Sequence, residues 1–117
     1  MNKSPVLTDK LLLSHIIEQC DKIIALTSMI DKDTFLENVF YQDALSREIE
    51  IIGEAAGSLS DSFCINHPDV PIVEMKSMRN VIVHQYFRVD TTIIWETAIH
   101  DIPAVYPIIK QIFDGMS

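Results

Sequence analysis

Cysteine, glycine and long apolar runs are all scarce in this sequence of 117 residues. The two cysteines, Cys20 and Cys64, stand far apart, and neither has a cysteine or histidine at the short spacing of a zinc site. We therefore expect two reduced thiols in the core. No apolar stretch reaches the roughly 18 residues of a membrane span, and the first residues lack a signal-peptide pattern. These absences predict a cytoplasmic protein with no membrane partner.

The three glycines form no phosphate-binding loop of Walker or Rossmann spacing. Ser58 and Ser60 lack the glycines of a nucleophile elbow. His15, His67 and His100 form no recognisable metal-binding motif with a carboxylate or cysteine. The sequence thus predicts no metal and no cofactor bound by the chain itself.

Positive charge is in short supply as well. Nine lysines and arginines face 17 aspartates and glutamates, for a formal net charge of -8. This balance argues against a broad nucleic-acid surface, because phosphate binding needs clustered cations. Residues 75–88 are the exception, since they carry Lys76, Arg79 and Arg88 and no carboxylate, which gives +3 against -11 for the remainder. One basic segment lies on an acidic body.

The apolar residues indicate the fold class. They make up 48% of the chain and recur at helical spacing, without strand-period alternation, internal repeats or low-complexity tracts. A chain of this length fits one domain, residues 1–117, and can bury a core of useful size. We predict an all-α fold, an antiparallel bundle of four to five helices.

Start signals place the first two helices. The first is predicted over residues 7–30, with either Pro5 or Thr8 supplying its start. The second is predicted to begin at Thr34, because Thr34 and Glu37 have the spacing of a capping box, and to continue to about Ala56.

The second half of the chain divides in a similar way. Residues 61–71 are rich in turn formers and predict the one substantial loop. A third helix is expected over residues 72–86. Asp90 can cap a fourth helix that ends near Ile99, and Pro103 fits the first turn of a final helix.

Small and acidic residues mark two sides of the second helix. Gly53 and Gly57 are four residues apart, so a neighbouring helix can approach that side closely. Glu50 and Glu54 share another stripe. Glu54 either pairs with a cation of the basic segment or is an ordinary exposed carboxylate, and the sequence leaves both open.

The third helix separates into an apolar and a polar arc. On a helical wheel Met75, Met78, Val81 and Ile82 fall within about 120°, the width of a stripe that faces a core. The other arc, about 160° wide, carries Lys76, Arg79, Asn80, His84 and Tyr86. Arg79 and His84 are about 140° apart on this wheel. Either the Arg79 side chain bends across, or the helix ends near His84, or the same helix of a second subunit completes the site.

The polar arc has the groups needed to cleave RNA by attack of a 2′-hydroxyl on its own phosphate. His84 can exchange a proton near neutral pH, and Arg79 can stabilise developing charge on a phosphate. Asn80 would orient the phosphate or the imidazole. Each group also has an ordinary explanation, since helical histidines are often plain surface or core residues and single arginines often form weak ion pairs.

Arg79, His84 and Tyr86 form an Arg-x4-His-x-Tyr pattern that resembles the motif of HepT-like proteins in the HEPN superfamily. The residues around Arg47, Gly53 and Glu54 are similar to the second-helix signature of that family. Further similarities extend the resemblance over nearly the whole chain: His67-Pro68, Val89-Asp90, Trp95-Glu96 and Asp101-Ile102-Pro103.

The resemblance implies a HEPN-like homodimer with two motif helices facing each other across a cleft, and an activity as the toxin of a type II toxin–antitoxin pair. The implied reaction is metal-independent RNA cleavage, with Arg79, Asn80 and His84 as catalytic residues. The implied partner is a minimal nucleotidyltransferase antitoxin that uses ATP to adenylylate Tyr86. We expect Lys76, Arg88 and Glu54 to support the site or its phosphate contacts.

Two positions depart from the family pattern. Ile72 follows Pro71 where many relatives have tryptophan, which puts the packing of the preceding loop in doubt. Arg88 replaces a glycine, which puts the stiffness of the following turn in doubt. Neither departure removes a catalytic group. The alternative function is a non-catalytic module that binds a nucleotidyltransferase or nucleotide, and the net charge of -8 favours it.

Overall fold

Helices account for most of this computed structural model, which describes residues 8–84 and 90–116, and the side chains of residues 8–79 and 90–116. The helices are α1 (Asp9–Met29), α2 (Lys32–Leu36), α3 (Val39–Gly57), α4 (Asp61–Asn66), α5 (Ile72–His84), α6 (Thr91–Glu96) and α7 (Ile102–Asp114), with a π-helical turn, Thr97–Asp101, between α6 and α7. Within these residues there is no strand, which confirms the all-α prediction. No helix of the described part combines the length and apolarity that a bilayer-spanning segment needs.

The start of α1 follows one of the two predicted signals. The Thr8 hydroxyl accepts a hydrogen bond from the Leu11 amide at 3.1 Å, which satisfies an amide that the first helical turn leaves free. Pro5, the other predicted signal, lies outside the described residues. At its C-terminal end the predicted helix over residues 7–30 is correct to within one residue, since α1 stops at Met29.

The predicted start of the second helix at Thr34 is wrong. Asp31, not Thr34, caps α2, because its carboxylate accepts a hydrogen bond from the Thr34 amide at 2.8 Å. The chain then leaves the helix after Leu36. A new helix, α3, begins when the Asn38 side chain accepts from the amides of Phe40 and Tyr41 at 2.9 and 3.2 Å. Two local caps outcompete the single capping box, so Glu37 ends a helix instead of supporting its start.

Two further boundaries differ from the sequence-based expectation. The predicted loop over residues 61–71 contains α4, which the Ser60 hydroxyl caps. Asp90 caps α6 as predicted, accepting from the Thr92 amide at 3.1 Å. The separate fourth and final helices are instead one continuous helical segment over residues 91–114. The π turn, Thr97–Asp101, joins α6 to α7, and Pro103 lies in the first turn of α7, as predicted.

Contacts between the ends of the helices establish an antiparallel arrangement. Asp9, at the start of α1, accepts hydrogen bonds from the amide and hydroxyl of Ser60, just beyond the end of α3, at 2.9 and 2.6 Å. The ammonium of Lys10 lies 5.8 Å from the ring centre of Phe113, near the end of α7. In both pairs of helices the start of one lies at the end of the other, as the predicted antiparallel bundle requires.

A single apolar core joins the helices. The Trp95 and Phe35 rings are both buried and lie 5.2 Å apart between α6 and α2. The buried core residues include Leu12, Leu13, Ile16, Cys20 and Ile23 from α1, Leu45, Ile49, Ile52, Ala55 and Ala56 from α3, Met75 from α5, and Ile102, Val105 and Ile109 from α7. This core fixes α3, and α3 in turn positions α5, the helix that carries the candidate site.

Candidate functional site

Helix α5 lies against α3 at an unusually short separation. An ideal Cβ built on Gly53 would lie 2.7 Å from the Cβ of Arg79, 3.0 Å from its backbone nitrogen and 3.1 Å from the carbonyl oxygen of Met75. One turn further along α3, a Cβ on Gly57 would meet the Lys76 side chain at 3.7 Å. The close approach that the glycine spacing predicted is therefore made within one chain, by the helix that bears the basic residues.

Arg79 lies at the edge of this helix-to-helix contact. Its Cβ is packed against Gly53, whereas the residue as a whole is exposed. Met75, one turn earlier on the same side, is fully buried. No carboxylate of the described residues forms an ion pair with Arg79. The guanidinium thus extends from a fixed main-chain position into solvent, where an anion could reach it.

Lys76 and Glu54 lie near this contact with their side chains open to solvent. Both residues are exposed, and neither takes part in an ion pair with another side chain of the described part. Glu50 is held instead by Arg47 on its own helix, with 3.2 Å between guanidinium nitrogen and carboxylate oxygen. The sequence left open whether Glu54 pairs with a cation or is an ordinary exposed carboxylate. Among the described residues it is exposed and pairs with no cation.

The remaining predicted site residues belong to the last turn of α5 and the segment after it. The backbones of Asn80 and His84 are helical, as the predicted third helix requires, but their side chains lie outside the described residues. Tyr86 and Arg88 lie outside them altogether. The roles assigned to these four residues, and the three ways of bringing Arg79 and His84 together, stay predictions.

One well-formed cavity among the described residues is separate from the basic face. It has a volume of about 470 Å³ and lies between α5 and the helical segment over residues 91–114. Met75, Met78 and Ile94 contribute apolar surface to it, while the carboxylates of Glu74 and Asp101 also line it. Carboxylates repel anions, so this cavity does not suit a phosphate group.

Titratable groups elsewhere in the described part do not form a second reactive centre. Burial raises the pKa of the Cys20 thiol to about 12, and the neighbouring Asp21 charge adds to the effect. Cys64 is half-buried, and both cysteines are free thiols, as expected. No group of histidine, cysteine and carboxylate side chains within the described residues is arranged to hold a metal ion.

The sequence predicted only part of the role of Gly53. The four-residue spacing of Gly53 and Gly57 predicted a close neighbour but could not say which helix would provide it. The contact with Arg79 joins positions 26 residues apart in the chain, and no local pattern encodes such a pairing.

Comparison with known proteins gives one consistent family. The model of the family described as ribonuclease HepT-like matches residues 16–112. The chain is similar to a probable ribonuclease HepT from Thermococcus cleftensis, with 38% identity over 93 residues that cover 80% of this chain and 84% of the relative. It is 36% identical, over 86% of its length and 89% of the relative, to a candidate RNase from Caldanaerobacter subterraneus. A candidate RNase from Methanocaldococcus jannaschii is 34% identical over 82% of this chain and 88% of its own length. No solved structure matches the chain.

Proposed function

The chain belongs to the ribonuclease HepT-like family, and from this premise we propose that it is a metal-independent endoribonuclease with its active site on α5. The observation that carries the proposal is the placement of Arg79. Its main chain is fixed against α3, its side chain is exposed, and no described carboxylate neutralises it. An arginine held in this way can bind a phosphate through paired hydrogen bonds without first giving up another partner.

The proposed reaction needs only a proton shuttle and a cation. The 2′-oxygen of one nucleotide forms a bond to the adjacent phosphorus while the bond from phosphorus to the next 5′-oxygen breaks. His84 accepts the proton of the 2′-hydroxyl and a proton is returned to the leaving 5′-oxygen. Arg79 stabilises the charge that builds up on the phosphate oxygens, and Asn80 orients the phosphate or the imidazole.

Lys76 and Arg88 are proposed to hold flanking phosphates, because both belong to the basic segment of an otherwise acidic chain. Glu54 is proposed to support the site from α3, since it follows Gly53 directly. We further propose that the active form is a homodimer in which α5 of each subunit faces its symmetry mate, so that His84 of one protomer and Arg79 of the other share a cleft.

A toxin–antitoxin pairing is proposed from the same premise. The partner would be a minimal nucleotidyltransferase that transfers AMP from ATP to the Tyr86 hydroxyl and releases pyrophosphate. The added phosphate would occupy the place of the RNA phosphate and repel the substrate. Co-expression with such a partner should increase the mass of the peptide that contains Tyr86 by one AMP, and a Tyr86→Phe variant should not be modified.

The activity is tested on the purified chain. We expect it to cleave RNA in the presence of EDTA, and Arg79→Ala and His84→Ala each to reduce cleavage by at least about a hundredfold. Lys110→Ala serves as the control, because Lys110 lies on α7 and pairs with Asp114 at 3.0 Å. Cleavage at the wild-type rate by both Arg79→Ala and His84→Ala would contradict the proposal.

A second candidate function is a non-catalytic module that binds a nucleotidyltransferase, and the net charge of -8 favours it because such a charge weakens general RNA binding. It predicts a stable complex with a nucleotidyltransferase encoded by a neighbouring gene, together with no RNA cleavage by the free chain. The assay in EDTA separates the two candidates directly.

A further inference from the structure

We propose that Gly53 is a positioning residue for Arg79: the absence of a side chain on α3 at this point sets where the guanidinium of α5 stands. The proposal rests on the ribonuclease function above, because positioning matters only if Arg79 meets a phosphate. It concerns the placement of α5 and assigns no substrate contact to Gly53 itself.

The distances leave no room for any side chain at position 53. A Cβ there would approach the Cβ of Arg79 to 2.7 Å and its backbone nitrogen to 3.0 Å. Carbon atoms in ordinary contact are separated by about 3.5 to 4.0 Å. The atoms in conflict belong to the main chain or to Cβ, so no rotamer change relieves the overlap. Helix α5 itself would have to move by about 1 Å.

Gly53 is not required by the backbone conformation of α3. The described residues include no glycine with a positive φ, and Gly53 lies in the interior of a helix, where glycine is a poor choice compared with alanine. Ala55, two residues further along α3, is also buried and shows that this helix carries alanine where the neighbouring helices leave room for a methyl group. The close approach of Arg79 accounts for glycine at position 53.

A shift of α5 would displace the Arg79 guanidinium by nearly the same distance. Arg79 begins at the contact with Gly53, so a movement of its Cα is passed to the base of its side chain. Electrostatic stabilisation of a phosphate depends on donors placed within a few tenths of an ångström. A misplacement of about 1 Å can lower a rate by roughly a hundredfold.

Gly57 provides a matched control on the same helix. Among the described side chains, a Cβ there would meet the Cγ and Cε of Lys76, at 3.7 and 3.8 Å, which is ordinary contact with a flexible side chain. Gly57 is exposed, whereas Gly53 is buried. The same substitution, glycine to alanine, therefore moves α5 at one position and leaves it in place at the other.

The experiment compares Gly53→Ala and Gly57→Ala in the full chain. Single-turnover cleavage of RNA in EDTA is expected to slow by about 10- to 100-fold in Gly53→Ala and by less than about twofold in Gly57→Ala. The RNA concentration at half-maximal rate should rise by a smaller factor than the rate falls, because Arg79 contacts the phosphate both in the bound RNA and in the transition state. Melting temperatures and circular dichroism identify any variant that is merely unfolded.

A double-mutant cycle distinguishes positioning from simple destabilisation. Affinity is measured for a 2′-O-methyl RNA, which binds but cannot be cleaved. If Gly53 acts through Arg79, Gly53→Ala weakens binding in the wild-type background and has no further effect once Arg79→Ala is present. An equal effect in both backgrounds would overturn the proposal, as would wild-type cleavage by a folded Gly53→Ala variant.

Measurements by NMR remain decisive if the variant does not fold or if the chain does not cleave RNA. In the wild-type chain a nuclear Overhauser contact between the Gly53 Hα and the Arg79 Hβ is expected, and its absence would overturn the proposal. In folded variants the Arg79 amide resonance should move for Gly53→Ala and stay in place for Gly57→Ala. A chain that makes this contact but leaves RNA intact would refute the ribonuclease function while retaining the link between Gly53 and Arg79.

Discussion

Cys20 and Cys64 are both free thiols, but their surroundings give them different reactivities. The thiolate is the reactive form of cysteine. With its pKa raised to about 12 by burial, only about one Cys20 in ten thousand is a thiolate at pH 8. Cys64 is half-buried, and no comparable burial protects it.

We therefore expect iodoacetamide at pH 8 to label Cys64 of the folded chain well before Cys20, with peptide mass spectrometry locating the label. Adding a denaturant should make the two rates similar. A Cys64→Ala variant isolates the buried thiol, and rapid native labelling of that variant would show that α1 opens more readily than its packing implies.

Glu48 carries a charge in a place that disfavours charge. Burial raises the pKa of its carboxyl group, partly offset by Lys22, and its Oε1 accepts no hydrogen bond from the described residues. Since the folded chain holds this proton more tightly than the unfolded chain, ionisation of Glu48 destabilises the fold. The effect is absent well below the pKa of the unfolded chain and is fully present above the raised pKa of the folded chain.

Glu48→Gln should accordingly raise the melting temperature at pH 7, and the difference from the wild type should shrink as the pH falls towards about 4. Thermal unfolding followed by circular dichroism across this pH range measures the effect. Glu37→Gln, on an exposed side chain, is the control. A gain from Glu48→Gln that stays constant with pH would mean that the charge is not its cause.

At the scale of the elements, the start of α3 depends on the cap made by one side chain, Asn38. Asn38 accepts from two amides at the start of α3, whereas Glu37 is an exposed residue that ends α2. Losing such a cap typically costs about 1 kcal/mol, which corresponds to about 4 °C in a domain of this size. We expect Asn38→Ala to show this loss in thermal unfolding and Glu37→Ala to show almost none. The reverse result would restore the capping box that the sequence predicted.

The helices themselves differ in how far the sequence predicted them. The starts of α1 and α6 follow from Thr8 and Asp90, whose caps act over two or three residues. The region around residues 31–38 contains several competing cap residues, and local pattern could not rank them. Pro103 correctly predicted the start of α7, but the π turn that joins α6 to α7 was missed because π turns have no sequence signature.

At the scale of the whole molecule, the proposed dimer makes a prediction that a monomer cannot share. If His84 of one protomer and Arg79 of the other form each site, a mixture of Arg79→Ala and His84→Ala protomers contains dimers with one intact site. Random assortment of exchanging protomers would then restore about a quarter of the wild-type cleavage activity.

The measurement is RNA cleavage after the two inactive variants are denatured and refolded together, with each variant refolded alone as the control. Sedimentation should confirm that the mixture forms dimers. Dimers without any recovered activity would show that each site draws both residues from a single chain. That result would favour the reading in which the Arg79 side chain bends across its own helix.

The amino-acid sequence was enough to predict the all-α class, the presence of α1 and α5, and the family, because helical periodicity, caps and the Arg-x4-His-x-Tyr motif are local patterns. It also limited the basic surface to one segment, a consequence of composition alone. The fold was needed to show that α5 is the helix against Gly53, and that Arg79 lies at the edge of that contact with its side chain in solvent. Such pairings depend on which helices share a core, and their contacts join residues too distant in the chain for any local spacing to record.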